Sequence, residues 1–375
     1  MIQYWNYLNE YKIEKKNFLY TINKVFNSGT LLLGDELKKF EKNYCKFNKS
    51  KFGLGVANGT DALFIALKCL NIGKDDEVIT VSNTAIPTVS AIINTGAKVK
   101  FVDIGQDFLI DAEKIKNLIT KKTKAIVAVH LFGQMCDMDK ILKIAKKYKL
   151  KVIEDCAQAT GATYKGAKAG TLGDVGCHSF YPTKILGAYG DGGFITTNNK
   201  KLFQKMHRFR FYGIDTLGIN KKWKNKYYSI DQGINSRLSE VQSSILNLKL
   251  SKLYRSIKRR REIAEKYYEG LKNTNLELPI VNKRNLHVFH IFEVAHHKRD
   301  LIMKKMKNKK IDLGIHYKYP IHTMRGYKEF YNKKSPLKET EKKAKKIFSL
   351  PIYPLLKNNE IAKIIRNLKD IISKI

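Results

Sequence analysis

Lys151-Val152-Ile153-Glu154-Asp155 closes an apolar run on two carboxylates, and about twenty-four residues beyond Asp155 come Ser179-Phe180-Tyr181-Pro182-Thr183-Lys184 and then Gly187-Ala188-Tyr189-Gly190-Asp191-Gly192-Gly193. The apolar run reads as a strand, and open α/β sheets present their ligands at strand carboxyl ends. A carboxylate there is either a strand-end cap or a charged partner for something bound. The lysine is held between a proline-stiffened turn and a glycine-rich return, a frame that surface lysines do not need.

Working outward, short apolar runs alternate with helical patterns from about Asp76 to Asn198. That alternation is the signature of crossover units feeding a largely parallel sheet. The expected strands are Glu77 to Val81, Val99 to Asp103, Ala125 to Val129, Lys151 to Glu154 and Gly193 to Thr197. Between them, Met138, Ile141, Leu142, Ile144 and Ala145 recur with a helical period over Asp137 to Tyr148. Further helices are expected over Thr60 to Leu70 and from near Arg237, where Leu238, Val241, Ile245 and Leu248 share a face. Lysine density then rises and the alternation stops, so we expect a large domain over 1–245 and a smaller one over 246–375.

Gly55-Val56-Ala57-Asn58-Gly59-Thr60-Asp61-Ala62 joins a short apolar strand to a helix through small residues. Free N–H groups and the Thr60 hydroxyl meet at that helix start, which is suited to a phosphate; the same turn also reads as an ordinary cap made by Asn58 or Thr60. A framed lysine, a carboxylate at a strand end and a phosphate-holding turn are together what a Schiff-base cofactor such as pyridoxal phosphate requires. The amine meets the aldehyde, the anion meets the pyridinium nitrogen and the N–H groups meet the phosphate.

At these residues the chain resembles the sugar-aminotransferase family of fold-type I pyridoxal-phosphate enzymes (DegT/DnrJ/EryC1/StrS type). The resemblance covers Gly34-Asp35-Glu36-Leu37, Asn58 to Leu63, His130-Leu131-Phe132-Gly133-Gln134, Glu154 to Ala159, Ser179 to Lys184, Gly190 to Gly193 and Gly233-Ile234-Asn235-Ser236-Arg237. It continues into His316-Tyr317 and Ser349-Leu350-Pro351. It implies a large domain with a mostly parallel seven-stranded sheet flanked by helices, plus a smaller α+β C-terminal domain.

Residue by residue, the resemblance implies that Lys184 bonds the cofactor and later moves the proton, and that Asp155 pairs with the ring nitrogen. A carboxylate there keeps the ring protonated and able to accept electrons. It places Gln158 near the ring oxygen and gives Gly59, Thr60 and Ser179 the phosphate. Asn235 reaches the phosphate from a second subunit, which implies a homodimer with shared sites, although Asn235 also reads as a helix N-cap. Arg237 either steadies that loop or receives a substrate anion. In Asn83-Thr84-Ala85-Ile86-Pro87-Thr88, many relatives carry an aromatic residue at the position of Ala85. Alanine cannot stack, so Ala85 is expected only as a neighbour of the cofactor.

The other histidines carry less. His287 and His290 have strand spacing and are expected in a sheet of the second domain, and His316 and His322 are placed either near the substrate entrance or in loop packing. Trp223, Tyr227 and Tyr228 read as loop anchors or as a base-stacking set.

At 375 residues, 43% hydrophobic with seven prolines, the chain can fill a sizeable core. Its net charge of +37 comes from residues spread along the whole length, with runs such as Lys258-Arg259-Arg260-Arg261 in stretches that read as exposed helices. The charge reads as a solvated basic surface or, alternatively, as attraction for an anionic ligand, and it carries no nucleic-acid motif. Cys45, Cys69, Cys136, Cys156 and Cys177 include no CxxC pair, so neither a disulfide framework nor a zinc site is suggested, and no metal is expected at the site. No export signal or run of about 18 apolar residues is present, and a cytoplasmic location fits.

The expected reaction is ping-pong transfer of an amino group from glutamate to a 3- or 4-keto-6-deoxy sugar linked to dTDP or UDP. Two rivals stay open: a basic nucleic-acid-binding or regulatory protein that keeps the fold without the chemistry, and a related sugar dehydratase. Dehydratases of the family typically have histidine in place of the lysine, so Lys184 argues for transamination.

Overall fold

The computed structural model describes residues 1–219, 222, 227–331 and 335–375; Trp223 lies outside them. The strands are β1 (Phe52–Val56), β2 (Glu77–Val81), β3 (Lys98–Val102), β4 (Thr123–Val129), β5 (Lys151–Asp155), β6 (Thr163–Tyr164), β7 (Ala167–Lys168), β8 (Val175–Ser179), β9 (Gly193–Thr197), β10 (Asn285–Leu286), β11 (Phe292–Ala295) and β12 (Ile347–Leu350). Seven of them form one sheet in the order β1-β9-β8-β5-β4-β2-β3. Pairing is parallel from β8 through β5, β4 and β2 to β3, and antiparallel where β9 meets β8 and β1. The fold is α/β with a mostly parallel seven-stranded sheet, as expected.

The central strands are apolar runs because helices cover both faces of the sheet. β2 and β9 are buried at every position. The helix Met138–Tyr148 buries Met138, Ile141, Ile144 and Ala145, begins on the Asp137 side chain and ends at Lys149 in the left-handed conformation. β8 is not among the expected strands. Val-Gly-Cys-His-Ser has neither alternation nor a β-branched run, and only its burial between β5 and β9 makes it extended.

The helix expected from Arg237 starts at Glu240, capped by Ser239. The residues before it are held extended, because Asn235 bridges Phe211, Ser239 bridges Leu32 and the Ser236 N–H donates to the Arg210 carbonyl. His287 and His290 are not in a sheet either. Phe289 between them has φ +48°, which breaks an extended run, and Gly133 at φ +109° leaves the space this kink fills: a Cβ on Gly133 would lie 2.8 Å from the Phe289 nitrogen.

The main core spans the sheet and its helices. A second cluster joins β11 and β12 to the helices Leu253–Leu271, Arg299–Asn308 and Asn358–Ile372, and it includes Ile2, which bridges Ile311. We propose that the large and small domains divide near residue 246, with the N-terminal residues crossing to the second core.

Among the described residues all five cysteines are free thiols, and no helix is long and apolar enough to cross a membrane.

Candidate active site

Sheet register gathers the motifs at one edge. Val56, Gly193 and Ser179 are neighbours across β1, β9 and β8, and Asp155 lies level with Val129 and Cys177. Parallel strands end there, and antiparallel β9 begins there, so the segments that follow β1, β5 and β8 and precede β9 converge.

The Gly59–Cys69 helix starts on Asn58, whose Oδ1 accepts the Asp61 N–H at 2.8 Å. This cap leaves the first-turn N–H groups of Gly59 and Thr60 as the open donors of a helix start. A side chain at Gly59 would meet Ser179 Cβ at 2.8 Å, and one at Gly193 would strike the Asn58 carbonyl at 2.2 Å. Only glycines let these turns close on one another. The Ser179 hydroxyl oxygen accepts the Tyr181 N–H, so its proton remains available for an anion.

Asp155 is buried. Its Oδ1 accepts the Ala157 N–H at 3.1 Å and its Oδ2 the Thr88 hydroxyl at 2.8 Å. Thr88 is backed in turn by Thr84 at 2.9 Å. Lys184 is half-buried; burial pushes its amine down to about 8, with Asp155 acting in the opposite direction. That value leaves about a tenth of the amine neutral, and so nucleophilic, at pH 7, far more than for an ordinary lysine.

Gln158 is oriented at both ends. Its Oε1 accepts the Phe132 N–H and its Nε2 donates to the Tyr317 hydroxyl, each at 2.8 Å. Ala85 is half-buried and caps the helix Ile86–Asn94 without a side-chain bond. Asn235 is exposed, while Ser236 beside it is buried, accepting the Ala57 N–H and donating to Asp61. The Asn235 loop is thus fastened to the turn before the Gly59–Cys69 helix of its own chain, while Asn235 itself stays exposed. Arg237 lies over the Phe211 ring at 5.2 Å.

Several participants escaped sequence reasoning. Thr88 lies 67 positions from Asp155, and no local pattern marks their pairing. Asn83 is buried with Nδ2 unpartnered, an orphan donor on the segment that also carries Thr84 and Thr88. Glu154 is fully buried and accepts from His130 and from the N–H groups of Gly170, Leu172 and Gly173. This makes it a structural anion under the adjacent Asp155 rather than a second site carboxylate. His322 is buried between Ser82 and Glu341.

A pocket of about 650 Å³ opens beside Lys184 and is bordered by Trp5, Arg255, Lys258, Arg259 and Tyr353. Glu10, Glu14 and Glu262 line it as well, paired with Lys249, Lys252 and Arg259, and among the described residues Lys184 is the one candidate-site residue in its wall. Arg255 and Lys258 make no ion pair among the described residues.

The model of the DegT/DnrJ/EryC1/StrS aminotransferase family matches residues 12–369. A dTDP-3-amino-3,4,6-trideoxy-alpha-D-glucose transaminase of Micromonospora megalomicea subsp. nigra is 42% identical over 375 residues, covering 98% of both chains. A dTDP-3-amino-3,6-dideoxy-alpha-D-galactopyranose transaminase of Aneurinibacillus thermoaerophilus is 42% identical over 352 residues, 94% of each chain. Among solved structures, S. venezuelae DesV in complex with a ketimine intermediate aligns with a TM-score of 0.93 at 32% identity, over 98% of both chains.

Proposed function

Since the chain belongs to the DegT/DnrJ/EryC1/StrS aminotransferase family, we propose that it transfers the amino group of glutamate to the keto carbon of a nucleotide-linked 6-deoxy sugar. It is a pyridoxal 5′-phosphate enzyme. The residues present fit that group: an amine lowered toward neutrality at Lys184, a doubly hydrogen-bonded carboxylate at Asp155, open N–H groups at Gly59 and Thr60, and an unpartnered amide at Asn83. When bound, the cofactor supplies a carbonyl carbon for amine exchange and a ring that accepts electrons.

The chain's own residues then divide the work. Lys184 holds the cofactor through Nζ and carries the proton to and from the substrate carbon. Asp155, fixed by Thr88 and Ala157, would hold the ring nitrogen of the cofactor and keep it protonated. Gly59, Thr60 and Ser179 receive the phosphate at a helix start. Gln158, held by Phe132 and Tyr317, would offer its amide to the cofactor ring, with Ala85 as a small neighbour. Asn235, exposed on its own chain, reaches the site of a second copy. The exposed apolar residues Leu8, Ile13, Leu19, Tyr20 and Phe26 on the helix Tyr7–Asn27 support such a copy.

The acceptor we propose is a dTDP-linked 3-keto-6-deoxyhexose. Both 42% identical relatives are named for 3-amino products. The observation that carries the reading is Lys184, an amine lowered by burial and facing Asp155 at the edge where Gly59 meets Ser179. The test incubates the enzyme with glutamate and a panel of dTDP- and UDP-linked 3-keto and 4-keto sugars, with mass and proton spectra of the products. Production of 2-oxoglutarate with a dTDP-3-amino sugar is expected. A visible cofactor band that glutamate leaves unchanged overturns the donor, and amination of the 4-keto panel alone overturns the acceptor.

A further inference from the structure

Glu293 stands in β11, where every residue is buried, and is itself 1% exposed. Its cross-strand neighbour in β12 is Ser349. The Ser349 Oγ lies 2.8 Å from Glu293 Oε2 and 2.8 Å from His316 Nδ1, whereas Glu293 Oε1 meets no hydrogen-bond partner. Backbone bonds in both directions tie Ser349 to Gly314. The His316 ring stacks on Tyr4 with centroids 5.5 Å apart, and a side chain at Gly314 would come within 2.9 Å of its Cε1. The imidazole is therefore clamped, and its Nε2 has no hydrogen-bond partner among the described residues.

We propose that Glu293 is a positioning residue: through the Ser349 hydroxyl its carboxyl selects the tautomer of His316, so that the imidazole meets the substrate as an Nε2–H donor. The role in turnover rests on the aminotransferase reading; the tautomer does not.

A hydroxyl has one proton to give. Were Glu293 ionised, Ser349 would donate to it and accept from Nδ1–H, leaving Nε2 a bare acceptor. That state buries a charge with one hydrogen bond and one empty oxygen, which a protein interior strongly disfavours. Burial accordingly holds the Glu293 carboxyl well above the ordinary range.

The groups that face it supply no counter-charge. Tyr4, whose hydroxyl adjoins Ser349 and brings its own proton there, and Tyr317 are phenols pushed upward by burial. Arg260, on the helix behind Tyr4, gives its guanidinium to the carbonyls of Phe289, His290 and Ile352. Glu293 forms no ion pair among the described residues.

A neutral carboxyl has two places for its proton. On Oε1 the proton would point at no acceptor. On Oε2 it meets Ser349, and only a carbonyl oxygen is left unpaired, the smaller loss. Ser349 then donates to Nδ1 of His316, and the imidazole proton sits on Nε2. Burial, with the Lys184 charge second, holds His316 down to about 4, so the ring is neutral at pH 7. A neutral N–H donor suits a keto or hydroxyl oxygen of a sugar.

Nitrogen-15 NMR of histidine-labelled enzyme reads the tautomer without substrate, with the His316 signals identified by their loss in His316→Gln. The expected result is a protonated Nε2 and a bare, hydrogen-bonded Nδ1 in the wild type. Glu293→Leu should move the Nδ1 resonance and lower kcat/KM for the keto sugar by roughly tenfold or more. Glu293→Gln, whose amide N–H replaces the acid O–H, should restore both relative to Glu293→Leu. A proton on Nδ1 in the wild type overturns the proposal even if no variant folds. Wild-type resonances and rates in Glu293→Leu also overturn it, as does Glu293→Gln behaving like Glu293→Leu. If another acceptor proves to be the substrate, the tautomer result stands by itself; a wrong tautomer with intact sugar amination sinks this inference alone.

Discussion

The Thr88 hydroxyl donates to Oδ2 of Asp155 at 2.8 Å, across 67 positions of sequence. Hydrogen bonds to a charged group contribute about 1.5–3 kcal/mol, and this one fixes the carboxylate assigned to the cofactor nitrogen. Thr88→Val, which keeps the shape and removes the donor, should slow the glutamate half-reaction by about tenfold, with Thr88→Ser recovering most of it. Asp155→Asn should slow it by roughly 100-fold or more while binding of pyridoxal phosphate suffers less. Single-turnover kinetics separate the two, and equal effects from both variants would argue against the proposed division of labour.

Lys184 makes two predictions about one nitrogen. Borohydride reduction of the holoenzyme should leave its pyridoxyl label on Lys184, and Lys184→Ala should fold, lose the lysine-linked chromophore and lose turnover by roughly 1000-fold or more. Because burial lowers the amine to about 8, the neutral fraction of the apoenzyme amine rises with pH through that value. The rate of cofactor uptake should therefore climb between pH 7 and 9 and level off above. A flat profile would mean that another step limits uptake or that another group bonds the cofactor.

Glu154 bears on stability rather than chemistry. Burial alone would raise its carboxyl, but His130 and the backbone N–H groups of Gly173 and Gly170 outweigh it, and the net direction is down. A carboxyl lowered on folding contributes stability that is present above its unfolded value of about 4.3 and is lost as pH falls through the folded value. Urea denaturation should show that loss in the wild type below about pH 4.3. Glu154→Ala should cost about 3–5 kcal/mol at neutral pH. A loss under ~1 kcal/mol would mean that water replaces the carboxylate there.

The elements written plainly in the sequence are those whose signal is local. β2 and β9 are apolar, β-branched runs and fall where the pattern puts them, Glu77–Val81 and Gly193–Thr197. β8 contains glycine, cysteine and histidine, and it is a strand only because β5 and β9 lie on either side. The motifs around Asp155, Ser179 and Lys184 are visible as residue types. Their meeting depends on the register that sets Val56 beside Gly193 and Gly193 beside Ser179, which no local pattern encodes. Thr88 and Glu293 were illegible for the same reason: a threonine in a helix and a glutamate in a short strand acquire meaning only from partners far along the chain.

Oligomeric state can be tested through Asn235. Its neighbour Ser236 is buried and bonded to Ala57 and Asp61, so the backbone there is fixed while Asn235 is exposed and open to a second copy. If it completes the phosphate site of a second copy, Asn235→Ala should weaken cofactor retention, and the lesions should be redistributable by chain mixing. Each site of the dimer would take Lys184 from one chain and Asn235 from the other. Mixing Lys184→Ala with Asn235→Ala under conditions that allow subunit exchange then gives heterodimers with one doubly damaged site and one intact site. Activity absent from both parents should reappear, approaching one intact site per heterodimer, and should scale with the heterodimer fraction measured by native mass spectrometry. Proven exchange without recovered activity would return Asn235 to its own chain's site or remove it from the cofactor altogether, leaving the apolar face of the helix Tyr7–Asn27 as the remaining argument for a dimer.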